Sequence, residues 1–147
     1  MSMFDKVFSA LDIGASGLSA ERMRMKVIAN NIANAQVTET PDGGPYKRQQ
    51  VEFASELRRS MIGRLAKDVN LSGVKVKGIT ESKEPPNIMY IPGHPKADEE
   101  GFVKMPNVNI SKEMVDLMVA SRSYEANTAV ISAFRKMAER ALNIIRR

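Results

Sequence analysis

The chain has no cysteine and no tryptophan, a single histidine, and only eight aromatic residues, three tyrosines and five phenylalanines, in 147 positions. Without thiols it can hold neither a disulfide nor a thiolate-bound zinc, and its fold is indifferent to redox compartment. The scarcity of aromatics removes most stacking platforms for bases. The net charge of +5 does not restore a nucleic-acid reading, because it is spread thinly: four basic against four acidic residues over 1–40, eleven against nine over 41–106, and seven against four over 107–147. No nucleic acid is expected as a partner. No apolar run approaches the roughly 20 residues of a membrane span, so the chain is not expected to be membrane-spanning. The stretch from Met1 to Lys6 lacks the basic segment, apolar run and small-residue cleavage site of a secretory signal, and export, if it occurs, is expected without a cleaved signal peptide.

Catalytic patterns are missing as well. There is no phosphate-cradling glycine loop, no nucleophile elbow and no metal-binding histidine pair. The lone His94 sits in Pro92-Gly93-His94-Pro95, with Asp98, Glu99 and Glu100 close behind. One histidine beside three acids in a proline-rich stretch reads as a solvated turn rather than a metal or acid-base site. The chain is therefore expected to be no enzyme, with no catalytic residue, metal or cofactor.

What is present is organised by proline. All seven prolines, at 41, 45, 85, 86, 92, 95 and 106, lie in the middle. Proline inside a helix costs about 3 kcal/mol, so two proline-free ends around a proline-bearing centre predict a division into 1–36, 37–106 and 107–147. The ends carry seven-residue rows. Over 1–36 these are Phe4, Leu11, Leu18, Met25 and Ile32; over 107–147 they are Ile110, Leu117, Tyr124, Ile131, Ala138 and Ile145, with Ala120, Phe134 and Ala141 three places after members of that row. A heptad row asks for a helical partner, and the two ends are predicted to pair. The fold class is then mainly α, with two long terminal helices pairing as an elongated coiled coil, and a central insert holding a small sheet or hairpin. The first row is interrupted: Gly14 and Gly17 lie in a stretch of small residues that admits close approach of another helix, and Glu21 and Arg22 thin the apolar seam. Part of each seam is expected to await other subunits, with the terminal helices ordering fully only among neighbours.

Asn30, Asn31 and Asn34 are costly inside a helix unless their amides find partners. Either the helix frays there, or the amides bond across to the neighbouring helix or the following loop and fix register, as buried asparagines do in coiled coils. In the insert, Asp42-Gly43-Gly44-Pro45 reads as a turn, 46–53 as an extended segment, and 55–68 as a possible helix. Val74-Lys75-Val76-Lys77 is the clearest strand, with 87–91 as its companion and 101–105 as a third. Asn109 or Ser111 can cap the last helix, with Glu113 and Asp116 suited to its dipole.

The residues also resemble a known family. Ala29-Asn30-Asn31-Ile32-Ala33-Asn34-Ala35 leading to Tyr46-Lys47-Arg48, and Arg122-Ser123-Tyr124-Glu125-Ala126-Asn127 near the other end, are similar to the paired signatures of the bacterial flagellar axial proteins. Pro92-Gly93-His94-Pro95-Lys96-Ala97-Asp98, Gly101-Phe102-Val103 and Pro106-Asn107-Val108-Asn109 resemble the short proximal-rod type within it. The stretch 36–45 is longer and more polar than the short turn of other rod types. The resemblance implies a structural subunit of the basal-body rod, whose terminal helices polymerise into a hollow drive shaft carrying torque from motor to hook. It implies Asn30, Asn31, Asn34, Tyr124, Glu125 and Asn127 as motif residues, and the heptad rows as subunit interfaces. The implied partners are further copies, the B-, F- and G-type rod subunits, the rotor-ring adaptor FliE and the flagellar type III export apparatus, with the rod crossing the periplasm. The alternative from the residues alone is a soluble helical adaptor that binds a partner helix in a groove.

Overall fold

The computed structural model describes residues 3–56 and 73–145, with side chains over 10–55 and 73–143. The order is α1 (Met3–Ala33), β1 (Gln49–Glu56), β2 (Gly73–Glu81), β3 (Asn87–Tyr90), β4 (Phe102–Met105) and α2 (Ile110–Ile145). The architecture is mainly helical with a small antiparallel β insert. At the standard rise, α1 with its 31 residues and α2 with its 36 extend about 46 and 54 Å. Asn109 caps α2: its side-chain Oδ1 accepts from Lys112 N at 3.1 Å, and its carbonyl accepts from Glu113 N at 2.9 Å.

The two helices lie antiparallel. A Cβ on Gly14 would stand 3.2 Å from Ile131 Cγ1, and one on Gly17 would stand 3.1 Å from Asn127 Nδ2. Arg22 Nη2 donates to Tyr124 OH at 3.3 Å, and Asn31 Nδ2 to Glu113 Oε2 at 3.0 Å. Each step up α1 thus matches a step down α2. On α1 the line that meets α2 includes Gly14, Gly17, Arg24 and Asn31. It therefore differs from the apolar row read from the sequence. Leu11, Leu18, Met25 and Ile32 flank it, half-buried. The physical reason is space: with no side chain at 14 and 17, α1 leaves gaps that the side chains of Ile131 and Asn127 fill, and the larger apolar residues stand to the side.

Among the described residues, the β insert forms two separate two-stranded ladders rather than one sheet. β2 holds the predicted strand but continues beyond Gly78, and it pairs with β1 rather than with 87–91. β3 and β4 pair with each other, Asn87 opposite Met105 and Tyr90 opposite Phe102. The helix expected over 55–68 begins inside β1, which holds Ser55 and Glu56; the rest of it lies outside the described residues, as do Ser2, Ser72 and the two final arginines.

The β1–β2 ribbon is fastened along α1 at both ends. Gln49 N donates to Asn31 Oδ1 at 2.9 Å at one end, and Val74 N donates to Ser16 Oγ at 3.1 Å at the other. The 15 residues between Ser16 and Asn31 rise about 22 Å, and the six from Gln49 to Ser55, the partner of Val74, span about 20 Å as strand. The lengths match, so the ribbon lies flat on the helix. The second hairpin buries Val103, and the loop joining its strands is tied to the segment after α1 by Lys96 Nζ, 2.7 Å from Glu39 Oε2.

Candidate assembly interface

The most enclosed chemistry in the chain is polar. Asn31 and Glu113 are each 1% exposed and face one another across the helix pair. The Asn31 amide is fully satisfied: Nδ2 donates to Gln49 O at 2.9 Å and to Glu113 Oε2 at 3.0 Å, while Oδ1 accepts from Tyr46 OH and Gln49 N, both at 2.9 Å. The other Glu113 oxygen, Oε1, accepts from Arg48 Nε and lies 2.7 Å from Arg48 Nη2 as well. Asp116 stands 4.0 Å from both Arg48 and Arg24. Burial holds the Tyr46 phenol above its ordinary pKa of 10.0, with Glu113 and then Glu81 adding to the rise. A buried carboxylate needs this compensation, since its desolvation alone costs several kcal/mol. The node thereby joins α1, the start of β1 and α2.

Of the three asparagines, Asn31 bonds across. Asn34 Nδ2 returns to Asn30 O at 2.8 Å within its own turn, and Asn30 is exposed. Tyr124 and Asn127 are half-buried against α1 at Arg22 and Gly17, whereas Glu125 is exposed. Leu117 and Ile131 are half-buried, Ile110 and Ala138 are exposed, and the side chains of Phe4 and Ile145 lie outside the described set. The role of Glu113 in the node was not foreseen. Its signal was its heptad position, which it shares with Ala120, Asn127 and Phe134, so a charge stands on an inward-facing row.

His94 is half-buried in its turn, where Nδ1 accepts from Lys96 N at 3.1 Å. Among the described residues no group of three or more histidine, aspartate or glutamate side chains is placed to hold a metal, and no helix is long and apolar enough to cross a membrane.

The opposite side of α2 is unpartnered and apolar. Met114, Val115, Met118 and Val119 are 48 to 59% exposed on the side turned away from Glu113, Leu117 and Ala120. Four large apolar residues within six positions exceed the scattered exposure of an ordinary surface, and contiguous patches of this kind mark interaction sites.

The family model for the flagella basal body rod protein matches residues 11–39, and that for the flagellar basal body rod FlgEFG protein C-terminal matches residues 99–144. The flagellar basal-body rod protein FlgC of Borreliella burgdorferi is 40% identical over 148 residues, covering 95% of this chain and 97% of the relative. FlgC of Escherichia coli O6:H1 is 40% identical over 138 residues, covering 94% and 97%, and that of Bacillus subtilis is 39% identical over 148, covering 93% and 97%. The chain belongs to the FlgC family of flagellar basal-body rod proteins. Both helical members of the node, Asn31 and Glu113, fall within the two matched segments. Its other members, Tyr46 and Arg48, fall between them, where the FlgC relatives still align along the chain.

Proposed function

We propose that this chain is a structural subunit of the flagellar basal-body rod, polymerising through its terminal helices into the hollow shaft that transmits torque from motor to hook. The observation that carries the reading is the exposed apolar face of α2 at Met114, Val115, Met118 and Val119, on a chain of the FlgC family. A single chain leaves that face wet, and repetition of one lateral contact around a tube covers it in every copy. The inner layer is formed by 1–36 and 107–147, with 37–106 outside. The heptad rows and the outer face of α2 together meet further copies, other rod subunits and FliE. Delivery is through the flagellar type III export apparatus without a cleaved signal, to the part of the rod that crosses the periplasm. The role needs no reaction and no cofactor. A groove-binding adaptor is less well supported, because the apolar surface is the convex side of a helix rather than a groove.

The test places Val115→Asp or Met118→Asp in a FlgC-deficient strain. Swimming and rod formation are expected to be lost while the purified variant keeps the wild-type circular dichroism. Normal swimming with both variants overturns the reading.

A further inference from the structure

The seam between α1 and α2 does not by itself choose one alignment. Gly14, Gly17, Arg24 and Asn31, through which α1 meets α2, carry no large apolar side chain. Both helices repeat every seven residues, so a slide of one heptad, about 10 Å, restores the three-and-four spacing and brings Tyr124 or Ala138 to Gly14 in place of Ile131. Periodic seams are degenerate in this way, and single buried polar groups break the degeneracy. Asn31, Tyr46, Arg48 and Glu113 are not periodic. Their contacts, all at 2.7 to 3.0 Å, close at one alignment, in which Glu113 reaches at once Asn31 on α1 and Arg48 ahead of the β1–β2 ribbon that Asn31 holds through Gln49.

We infer that this node is a register lock: it selects, among heptad-shifted pairings of α1 and α2, the one in which Glu113 meets both Asn31 on α1 and Arg48 at the start of the ribbon. Arg48 and Glu113 are positioning residues in this role. After a slide of α2, the Glu113 carboxylate leaves both Arg48 and the Asn31 amide, which is the costly condition of a buried charge without compensation. The inference concerns the single chain and stands or falls separately from assembly.

Because the chain has no cysteine, engineered thiols report alignment without background. A Cβ on Gly14 lies 3.2 Å from Ile131 Cγ1, within disulfide reach. In the full-length protein under mild oxidation, Gly14→Cys with Ile131→Cys is expected to bridge, while Gly14→Cys with Tyr124→Cys or with Ala138→Cys is not. Adding Arg48→Met or Glu113→Gln is expected to raise the two shifted pairs about tenfold at the expense of the first, the scale of losing a buried ion pair's discrimination. Arg48→Lys, which keeps the charge, is expected to restore dominance of the first pair. Three results overturn the lock. One is unchanged dominance of the Ile131 pair in both node variants. Another is failure of every pair to bridge with the node intact. The third is loss of helical circular dichroism in both node variants, which makes the node a condition of folding rather than of register.

Discussion

At the scale of single residues, a buried amide with four partners differs from its neighbours by more than its place in a motif. Asn31→Ala removes all four hydrogen bonds and leaves Tyr46 OH, Gln49 N and one Glu113 oxygen short of a partner. A loss of about 3 kcal/mol is expected in urea denaturation, against about 0.5 kcal/mol or less for Asn30→Ala and Asn34→Ala, which break nothing across the pair. Tyr46 adds a pH dependence. Its folded pKa is raised above 10.0 by burial, then by Glu113 and Glu81, so the folded chain holds the phenolic proton more tightly than the unfolded chain. Its contribution is complete below about pH 10 and is lost as pH climbs from the unfolded value toward the folded one. Tyr46→Phe should lack that part of the alkaline decline, yet be about 1 kcal/mol less stable at pH 7 for want of the bond to Asn31. Stability measured from pH 7 to 11 in both chains checks it: parallel curves refute the assignment.

At the scale of elements, the second hairpin depends on one glycine. Gly101 has φ +84°, and a Cβ there would stand 2.8 Å from the Tyr90 ring, the ring that packs edge-on against Phe102 with centroids 5.4 Å apart. Gly101→Ala is expected to cost about 2 kcal/mol, from left-handed strain and displacement of that ring. Gly78→Ala, where a Cβ meets nothing within 4 Å, should stay within about 0.5 kcal/mol. Thermal denaturation of the two variants tests the contrast, and equal melting temperatures refute it. The β2 strand was legible because Val74 and Val76 alternate with lysines. Its pairing was not: β1 carries Gln49, Gln50 and Glu52 among its apolar positions, and its place beside β2 is set by the fastenings at Asn31 and Ser16 rather than by alternation.

At the scale of the whole molecule, α2 has two working sides, and substitutions should separate them. Leu117→Asp introduces a carboxylate into the half-buried side turned to α1 and is expected to destabilise the isolated chain by about 2 kcal/mol or more. Val115→Asp and Met118→Asp, on the exposed side, should leave the isolated chain within about 0.5 kcal/mol of wild type while rod formation is lost. Denaturation of the three purified variants, set beside their rod yields, decides it. A loss of monomer stability at 115 or 118 equal to that at 117 would show that the outer face is already covered within the single chain.

The sequence by itself determined the broad plan. The absence of proline from both ends, the heptad rows and the turn glycines at 43 and 44 specify two long helices around a β insert, because helix and turn preferences are local. The paired asparagine and Arg122–Asn127 signatures carried the family. Only the tertiary structure decided which face of α1 meets α2, since Gly14 and Gly17 act by what they lack and make no mark in an apolar pattern. It alone also decided that Glu113, suited by position to a helix dipole, is buried against Arg48 and Asn31. That choice rests on desolvation of the Glu113 carboxylate between a guanidinium and an amide 65 and 82 residues away along the chain, a cost that exists only once three separate elements have closed around it.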